Sequence, residues 1–422
     1  MAMNLPPNVV RTKFWTAHDD GRVQCNVCPR HCRLRDGQRG LCWVRGNHRG
    51  EIVLSSWGQA SGFCIDPVEK KPLNHFFPGT PILSFGQQGC NLTCRFCQNW
   101  SISKAGKQTP LVGNEDYMRD EVARDGRGEI ARDGRGKTVD LKRPRTAKDV
   151  RTMNVLDDQL IRPEAIAEAA KATGCKSVAF TYNDPVIFHE YAIDIANACR
   201  AQGIKSVAVS AGYMCAEPRA EFYRHMDAAN IDLKGFTEEF YRELCTAELG
   251  AVLETLEYLK HETQVWFEIT TLLIPTKNDS DAELHAECAW IAEHLGPDVP
   301  LHFTAFHPDW KMGDIPATPP ATLRRARDIA LQHGLRYVYV GNVHDKAGSS
   351  TYCHGCGAEL IGRDWYELST WHLDETGKCL TCQTQLPGVF DGPPGDWGAK
   401  RQPIKIQPPQ INRAAAANGR PV

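Results

Sequence analysis

The stretch FGQQGCNLTCRFCQNW, Phe85–Trp100, sets Cys90, Cys94 and Cys97 in a C-x3-C-x2-C loop. It follows directly on Pro81–Phe85, a short β-rich run that opens a series of such runs alternating with helical patterns. Three closely spaced thiolates can hold three corners of a cubane iron–sulfur cluster and leave the fourth iron without a protein ligand. An open iron is a place to bind a small molecule. A structural zinc site ordinarily takes four protein ligands; no obvious fourth one stands beside this loop, although His75 or a remote Cys can serve.

Outward from the loop, further strands are read at Lys176–Tyr182, Ile204–Ser210, Asn230–Lys234, Gln264–Ile274, Pro300–Phe306 and Arg336–Gly341. Pro163 opens a helix that Gly174 follows, a second runs from Val186 to a stop at Gly203, and a later one from Pro319 stops at Gly334. Strands alternating with helices predict an α/β fold with a parallel sheet, either open and doubly wound or closed into a full or partial barrel. Periodicity alone leaves that choice open.

The chain has 422 residues, 42% of them hydrophobic, with Lys+Arg 49 against Asp+Glu 51 and a net charge of -2. That is ample material for a core, and it supplies no basic field to draw nucleic acid or anionic lipid. The opening MAMNLPPNVVRTKFW lacks the apolar core of a secretion signal, and no window is long enough to cross a bilayer, so a cytoplasmic location without membrane association is expected. In a reducing compartment clustered cysteines bind metal more often than they pair, which matters here because there are 17 of them.

Beyond the central loop, two more cysteine clusters are visible. Cys353, Cys356, Cys379 and Cys382 form C-x2-C-x22-C-x2-C around the β-like connector WYELSTWHL, a zinc-ribbon pattern in which the metal replaces a missing core. An auxiliary iron–sulfur cluster is the alternative there. Cys25, Cys28, Cys32 and Cys42 form C-x2-C-x3-C-x9-C among Arg and Gly residues too polar to fold unaided. Zinc and iron–sulfur suit this knuckle equally, the first pinning the N-terminus to the barrel, the second relaying electrons. Cys64, Cys175, Cys199, Cys215, Cys245 and Cys288 stand singly and read as small buried hydrophobes.

These features divide the chain into a metal knuckle over 1–62, an α/β domain over 63–345, a zinc-ribbon-like module over 346–390 and a disordered tail over 391–422. Residues 113–151, with ARDGRG at Ala123–Gly128 and again at Ala131–Gly136, read as a solvated, disordered insertion. A basic strip gripping an acidic partner is the alternative, but its Asp and Glu nearly cancel its Arg and Lys.

The C-x3-C-x2-C loop with Phe96 before the last Cys resembles the signature of the radical S-adenosylmethionine (SAM) superfamily. Within it, the chain resembles the pyruvate formate-lyase activating enzyme-related group, and specifically the radical enzyme of the AmmeMemoRadiSam system. Besides the loop itself, CNVCPRHC, DPVEKKPLNHFFPG (Asp66–Gly79), FTYNDP (Phe180–Pro185), NIDLKGF (Asn230–Phe236), FHPDWKM (Phe306–Met312) and YVGNV (Tyr339–Val343) carry the likeness. The resemblance implies a partial (β/α)6 TIM-like radical SAM barrel, which closes the open choice of fold. It also implies a 4Fe-4S cluster on Cys90, Cys94 and Cys97 whose open iron chelates SAM. Reductive cleavage then yields methionine and a 5′-deoxyadenosyl radical that abstracts hydrogen from a substrate, the chemistry belonging to the cofactor and the positioning to the protein.

Asp232 and Lys234 in NIDLKGF alternate with Ile231 and Leu233, so the two charges share a strand face, where a cation beside an acceptor suits the SAM carboxylate and ribose. By the same resemblance Asn183 and Asp184 of FTYNDP stand where the methionine amino group binds, and Ser210 contributes from a VSAG in which Ala211 replaces the family's amide. Glu268, Thr270 and His307 face the barrel as cofactor or substrate contacts or as satisfied interior groups, and Lys70, Lys71 and His75 are candidate substrate contacts by resemblance alone. The family suggests a protein substrate, by glycyl-radical-type activation, or a small molecule. It further suggests Memo-type or AMMECR-type partner proteins and an electron donor such as flavodoxin or ferredoxin. Against this stands a non-catalytic reading in which all three clusters are structural metal sites of a binding scaffold.

Overall fold

A computed structural model describes residues 5–104, 131–132, 138–139 and 160–406. Its centre is a nine-stranded sheet. In chain order the strands are β1 (Ser61–Pro67), β2 (Pro81–Gly86), β3 (Ser177–Phe180), β4 (Lys205–Ser210), β5 (Ala228–Asp232), β6 (Trp266–Leu273), β7 (Leu301–Ala305) and β8 (Val338–Gly341), with a late edge strand at Gln402–Pro403. From β2 to β8 neighbours in sequence are neighbours in space and all pairings are parallel. Six crossover helices join these seven strands: α1 (Pro163–Ala172), α2 (His189–Ala201), α3 (Ala216–Tyr223), α4 (Leu249–Glu262), α5 (Asp281–His294) and α6 (Pro320–Gln332). Every residue of β3 and β7 is buried, as expected where helices cover one face and the barrel interior the other.

Boundaries moved at one place that matters. The fourth expected run, Asn230–Lys234, is a strand only from Ala228 to Asp232, so Lys234 lies just past its end. The expected helix from Val186 begins as a 3-10 turn, Pro185–Phe188, capped by the Asp184 side chain, before the α-helix starts at His189. Upstream of β2 the antiparallel β1 extends the sheet, a strand that periodicity did not reveal.

The N-terminal segment folds as two three-stranded antiparallel sheets, one of Val10–Arg11, Arg45–His48 and Glu51–Leu54, the other of Trp15–Ala17, Val23–Cys25 and Arg33–Leu34. Arg45, almost fully buried, forks onto Glu190 in the first turn of α2 (Nη1–Oε1 2.9 Å, Nη2–Oε2 2.5 Å), and this ties the segment to the barrel. At the other end β9 (Thr351–Tyr352), β10 (Glu359–Asp364) and β11 (Glu367–Trp371) form a separate antiparallel sheet. Its buried Arg363 donates to Thr351 Oγ1 and to the carbonyl of Asn74, both at 2.7 Å.

The tail is a correction. Residues 391–406 are not an unpacked end: Gln402–Pro403 pairs antiparallel with Ile65 and Cys64 of β1, and Trp397 N donates to Gly79 O at 3.0 Å. A Cβ on Gly79 would sit 2.3 Å from the Gly395 carbonyl, so both glycines are there to let two backbones touch. A composition rich in Pro and Gly concealed this, because the contacts are made by backbone. Residues 407–422 and most of the charged segment 113–151 lie outside the described residues, apart from a short pairing of Ala131–Arg132 with Thr138–Val139. Among the described residues no helix is long and apolar enough to cross a membrane.

One buried carboxyl between barrel and helix layer makes stability depend on pH. Glu287 of α5 is buried and accepts from Thr271 Oγ1 of β6; burial pushes its pKa up to about 8, with Thr271 opposing and Glu283 adding. The folded pKa lies above the ordinary value, so the fold holds a proton that the unfolded chain releases, and stability falls as pH rises from about 4.5 to about 8. Glu287→Gln, which keeps the shape without the charge, is expected to be about 2–4 kcal/mol more stable than wild type at pH 8.5 and equal to it at pH 4.5, read by thermal melts at both pH values.

Candidate functional site

The cluster loop leaves β2 at its carboxyl end, the end at which barrel chemistry gathers. Several contacts from different elements shape it. Thr93 N and Arg95 N donate to the carbonyls of Cys245 (3.1 Å) and Leu244 (2.9 Å), in a π-turn over Tyr241–Cys245. Asn91 Nδ2 donates to Tyr213 O at 3.0 Å, and Lys104 Nζ to Leu92 O at 2.8 Å. Arg30, from the N-terminal segment, donates to Asn91 O and Thr246 O. Gly89 has φ +93, and a Cβ there would lie 2.1 Å from the carbonyl of Cys42, so the loop presses directly against the N-terminal cysteine knuckle.

Within this frame Cys94 is buried and Cys90 and Cys97 are partly exposed. Leu92 N donates toward Cys90 Sγ at 3.5 Å, and Cys97 Sγ lies 3.7 Å from Ser103 Oγ. A hydrogen bond from Cys245 pulls the Cys94 thiol down, and Lys234 and Lys104 assist against burial. A ready thiolate at this position is what a metal–sulfur bond needs. In the sequence Cys245 stands alone as a small hydrophobe; the fold brings it beside Cys94 from far along the chain, a contact that no spacing rule reveals.

Asp232 and Lys234 meet as a pair, Nζ to Oδ2 2.8 Å, at the carboxyl end of β5. Burial works against the Lys234 charge, but Asp232, Cys94 and Cys245 outweigh it and hold the ammonium well above its ordinary pKa. Its backbone is fixed on both sides, N donating to Tyr241 Oη at 3.0 Å and O accepting from Asn278 Nδ2 at 2.8 Å. Thr270, directly opposite Asp232 in the β5–β6 register, buries a hydroxyl that has no partner among the described residues. An unsatisfied buried donor facing a charged pair fits a polar ligand in that space.

Asn183, Asp184 and Ser210 are also at the carboxyl ends, but their polar atoms are engaged with the protein. Asn183 accepts from Gln87 N at 3.1 Å and donates to Gly89 O at 2.9 Å, bracketing the start of the cluster loop. Asp184 accepts from Val186 N (3.1 Å), Ser210 Oγ (2.9 Å) and Ala211 N (3.1 Å). Burial nevertheless raises its pKa to about 6, the hydrogen bonds and Lys234 opposing. In the protein alone Asn183 positions the loop, and Asp184 with Ser210 joins the ends of β3 and β4. The residue missing from the family pattern, Ala211, contributes its backbone N–H here.

Other sequence candidates sort clearly. His75 donates from Nδ1 to Pro387 O (2.7 Å), since a carbonyl only accepts, and its Nε2 meets Tyr339 Oη at 2.5 Å. Lys71 is buried in an ion pair with Asp66 at 2.7 Å. Both belong to the scaffold, and His75, occupied in this way, is not the fourth ligand of a closed zinc site at Cys90. Glu268 is a scaffold anchor, and His307 is exposed. At the loop's outer edge Trp100 and Trp310 stack at 4.8 Å with Trp100 Nε1 donating to Asp309 at 3.0 Å.

The four C-terminal cysteines converge: their sulfurs lie within 4.8 Å of one another, with Cys353–Cys382 at 3.5 Å and Cys356–Cys379 at 3.7 Å. This group could hold a metal ion. It packs with β10 against Tyr337 and Tyr339 at the start of β8, where Tyr337 Oη and His354 Nδ1 are 2.7 Å apart.

The model of the radical SAM superfamily matches residues 85–289, from the end of β2 through most of α5. An uncharacterized protein of Methanocaldococcus jannaschii is 36% identical over 378 residues, covering 89% of this chain and 98% of that protein. A solved domain of a pyruvate-formate lyase-activating enzyme from Bacteroides vulgatus is similar at 19% identity and TM-score 0.35, over 39% of this chain and 98% of that one. A radical SAM methyltransferase from Sphaerobacter thermophilus is similar at 13% identity and TM-score 0.41, over 80% and 78% of the two chains. Family match, parallel barrel and three-cysteine loop agree: the chain belongs to the radical SAM superfamily.

Proposed function

We propose that this protein is a radical SAM enzyme in which Cys90, Cys94 and Cys97 hold a 4Fe-4S cluster and the Asp232–Lys234 pair receives SAM. The family implies both cofactors. When bound, the cluster supplies an electron that cleaves SAM to methionine and a 5′-deoxyadenosyl radical, which takes hydrogen from the substrate. The observation that carries the reading is a three-cysteine loop leaving the carboxyl end of β2 and a charged pair at the carboxyl end of β5, beside a Thr270 hydroxyl without a partner among the described residues.

The chain's own residues do the rest. Asn183 and Arg30 fix the loop so that the three thiolates keep one geometry. Lys234, held cationic, is a donor for a carboxylate, and Asp232 is an acceptor for hydroxyls or an ammonium. Lys234 is largely buried, while the Asp232 side chain stays 35% exposed and so open to a ligand.

The order of the sequence motifs supports the finer reading as the radical enzyme of the AmmeMemoRadiSam system, acting on a protein substrate, with glycyl-radical-type activation as one form and a small molecule as the other. On the same basis we propose Memo-type or AMMECR-type partners, a flavodoxin or ferredoxin donor and a cytoplasmic location. The sulfur spacing at Cys353, Cys356, Cys379 and Cys382 supports zinc in the C-terminal module.

Lys234→Met is the test of the SAM site. Loss of one charge-assisted contact is expected to weaken SAM binding about 10- to 100-fold while iron content stays at the wild-type value, read by titrating the SAM-induced change in the EPR spectrum of the reduced protein. An unchanged affinity removes Lys234 from the site.

A further inference from the structure

A second set of thiols stands outside the site just described. Cys25, Cys28, Cys32 and Cys42 line one small cavity between the N-terminal segment and the barrel, walled also by Asn91 and Ile187. Local backbone structure fixes them there. Cys25 ends the strand Val23–Cys25, and its N donates to Cys32 O at 3.0 Å. Between the two, His31 turns left-handed at φ 44 and donates to Cys28 O at 3.2 Å, closing a tight turn that returns Cys32 to the cavity. A Cβ on Gly40 would stop 3.4 Å from Cys32 Sγ.

The two outer cysteine sets differ in one decisive respect. A zinc ion with Zn–S bonds of about 2.3 Å draws its four sulfurs to about 3.8 Å from each other, and the C-terminal set shows such spacing at 3.5 Å and 3.7 Å. Among the described residues the N-terminal four do not gather within 4.8 Å of one another; they ring a void instead. Thiolates around a cubane must stand farther apart than thiolates around one ion, because irons and sulfides lie between them. The void is lined by the four cysteines, by apolar side chains such as Val27, Leu34 and Ile187, and by Arg30 and Arg45, whose cations suit an anionic thiolate-ligated cluster in a mostly apolar shell.

We propose that Cys25, Cys28, Cys32 and Cys42 hold a second 4Fe-4S cluster with every iron ligated by protein, and that it relays electrons to the cluster at Cys90, Cys94 and Cys97. The two ligand sets touch: the Cys42 carbonyl packs on Gly89, the residue before Cys90, and Arg30, between Cys28 and Cys32, donates to Asn91 O, the residue after Cys90. A one-electron donor of the reduced flavodoxin or ferredoxin class reduces the relay, which is reoxidised as the first cluster is reduced. One electron enters and one leaves.

The test uses the full chain reconstituted with iron and sulfide under anaerobic conditions, as wild type and as the Cys90→Ala/Cys94→Ala/Cys97→Ala variant. About eight irons and about one zinc are expected in wild type. In the variant iron falls by half, and the reduced protein keeps an EPR signal that SAM does not change. Retention of about one zinc marks the variant as folded; if zinc is lost, wild type is read directly, and two EPR signals are expected, only one of them sensitive to SAM. Iron-free variant with two zincs per chain overturns the proposal, as does a variant signal that SAM perturbs, since that cluster would have an open iron. Failure of the radical SAM reading looks different: wild type then retains only the SAM-insensitive signal.

Discussion

Glu268→Ala is expected to destabilise the protein by about 3–5 kcal/mol, the cost of breaking a buried, fully hydrogen-bonded charge. The carboxylate is completely buried in β6. It accepts from Asn74 N (2.9 Å), His75 N (2.8 Å), Trp266 Nε1 (3.1 Å) and His302 Nε2 (2.7 Å). Alanine leaves four buried donors without an acceptor, at a connection on which the C-terminal module also rests through Arg363 and the Asn74 carbonyl. Although burial raises the pKa, His302, His75 and the Asn74 N–H bring it down to about 2. A depressed folded pKa means stability that is present above the ordinary carboxylate pKa and lost as pH falls toward 2. The deficit of the variant is therefore expected to be full at pH 7 and to shrink between pH 4.5 and 2.5. Thermal melts across that range check it, and a melting temperature within a degree of wild type at pH 7 contradicts it.

Replacing Cys94 with alanine is expected to remove 5′-deoxyadenosine formation down to the protein-free background and to lose the iron of that cluster. Replacing Cys245 with alanine is expected to keep the iron and leave the rate within about tenfold of wild type, a rise of at most about 1.4 kcal/mol in the barrier. The contrast follows from geometry. Cys245 touches Cys94 and tunes it, but it belongs to the turn that supports the loop and faces Asp232 and Lys234. If Cys245→Ala loses the cluster as Cys94→Ala does, Cys245 is a fourth ligand, the iron is closed, and the scaffold reading replaces the enzymatic one. Iron analysis with liquid chromatography of the nucleoside product separates the two outcomes.

Much of the barrel was legible because parallel strands between helices carry strong local signals. All seven expected runs became strands, and Pro163 and Pro319 mark where helices start. The cysteine clusters were legible because knuckle spacing is local, and the C-terminal four do converge. What stayed hidden is made by contacts across long sequence distance or by backbone alone. Cys245 reaches Cys94 through a π-turn that no periodicity announces. The edge strand at Gln402–Pro403 and the Gly79–Gly395 approach involve no side-chain pattern. Asp232 and Lys234 were paired on strand alternation, and they do pair, yet the strand stops at Asp232 and the lysine returns from the following loop. Asn183 carries a role that motif position does not show: its two amide atoms hold the cluster loop.

The most direct measurement is the yield of 5′-deoxyadenosine from SAM by the reconstituted full chain, reduced under strict exclusion of oxygen. Formation of 5′-deoxyadenosine together with an equal amount of methionine, absent when the reductant is withheld, is the predicted result. A protein that carries its full iron, stays folded and yields neither product would contradict the account at its centre.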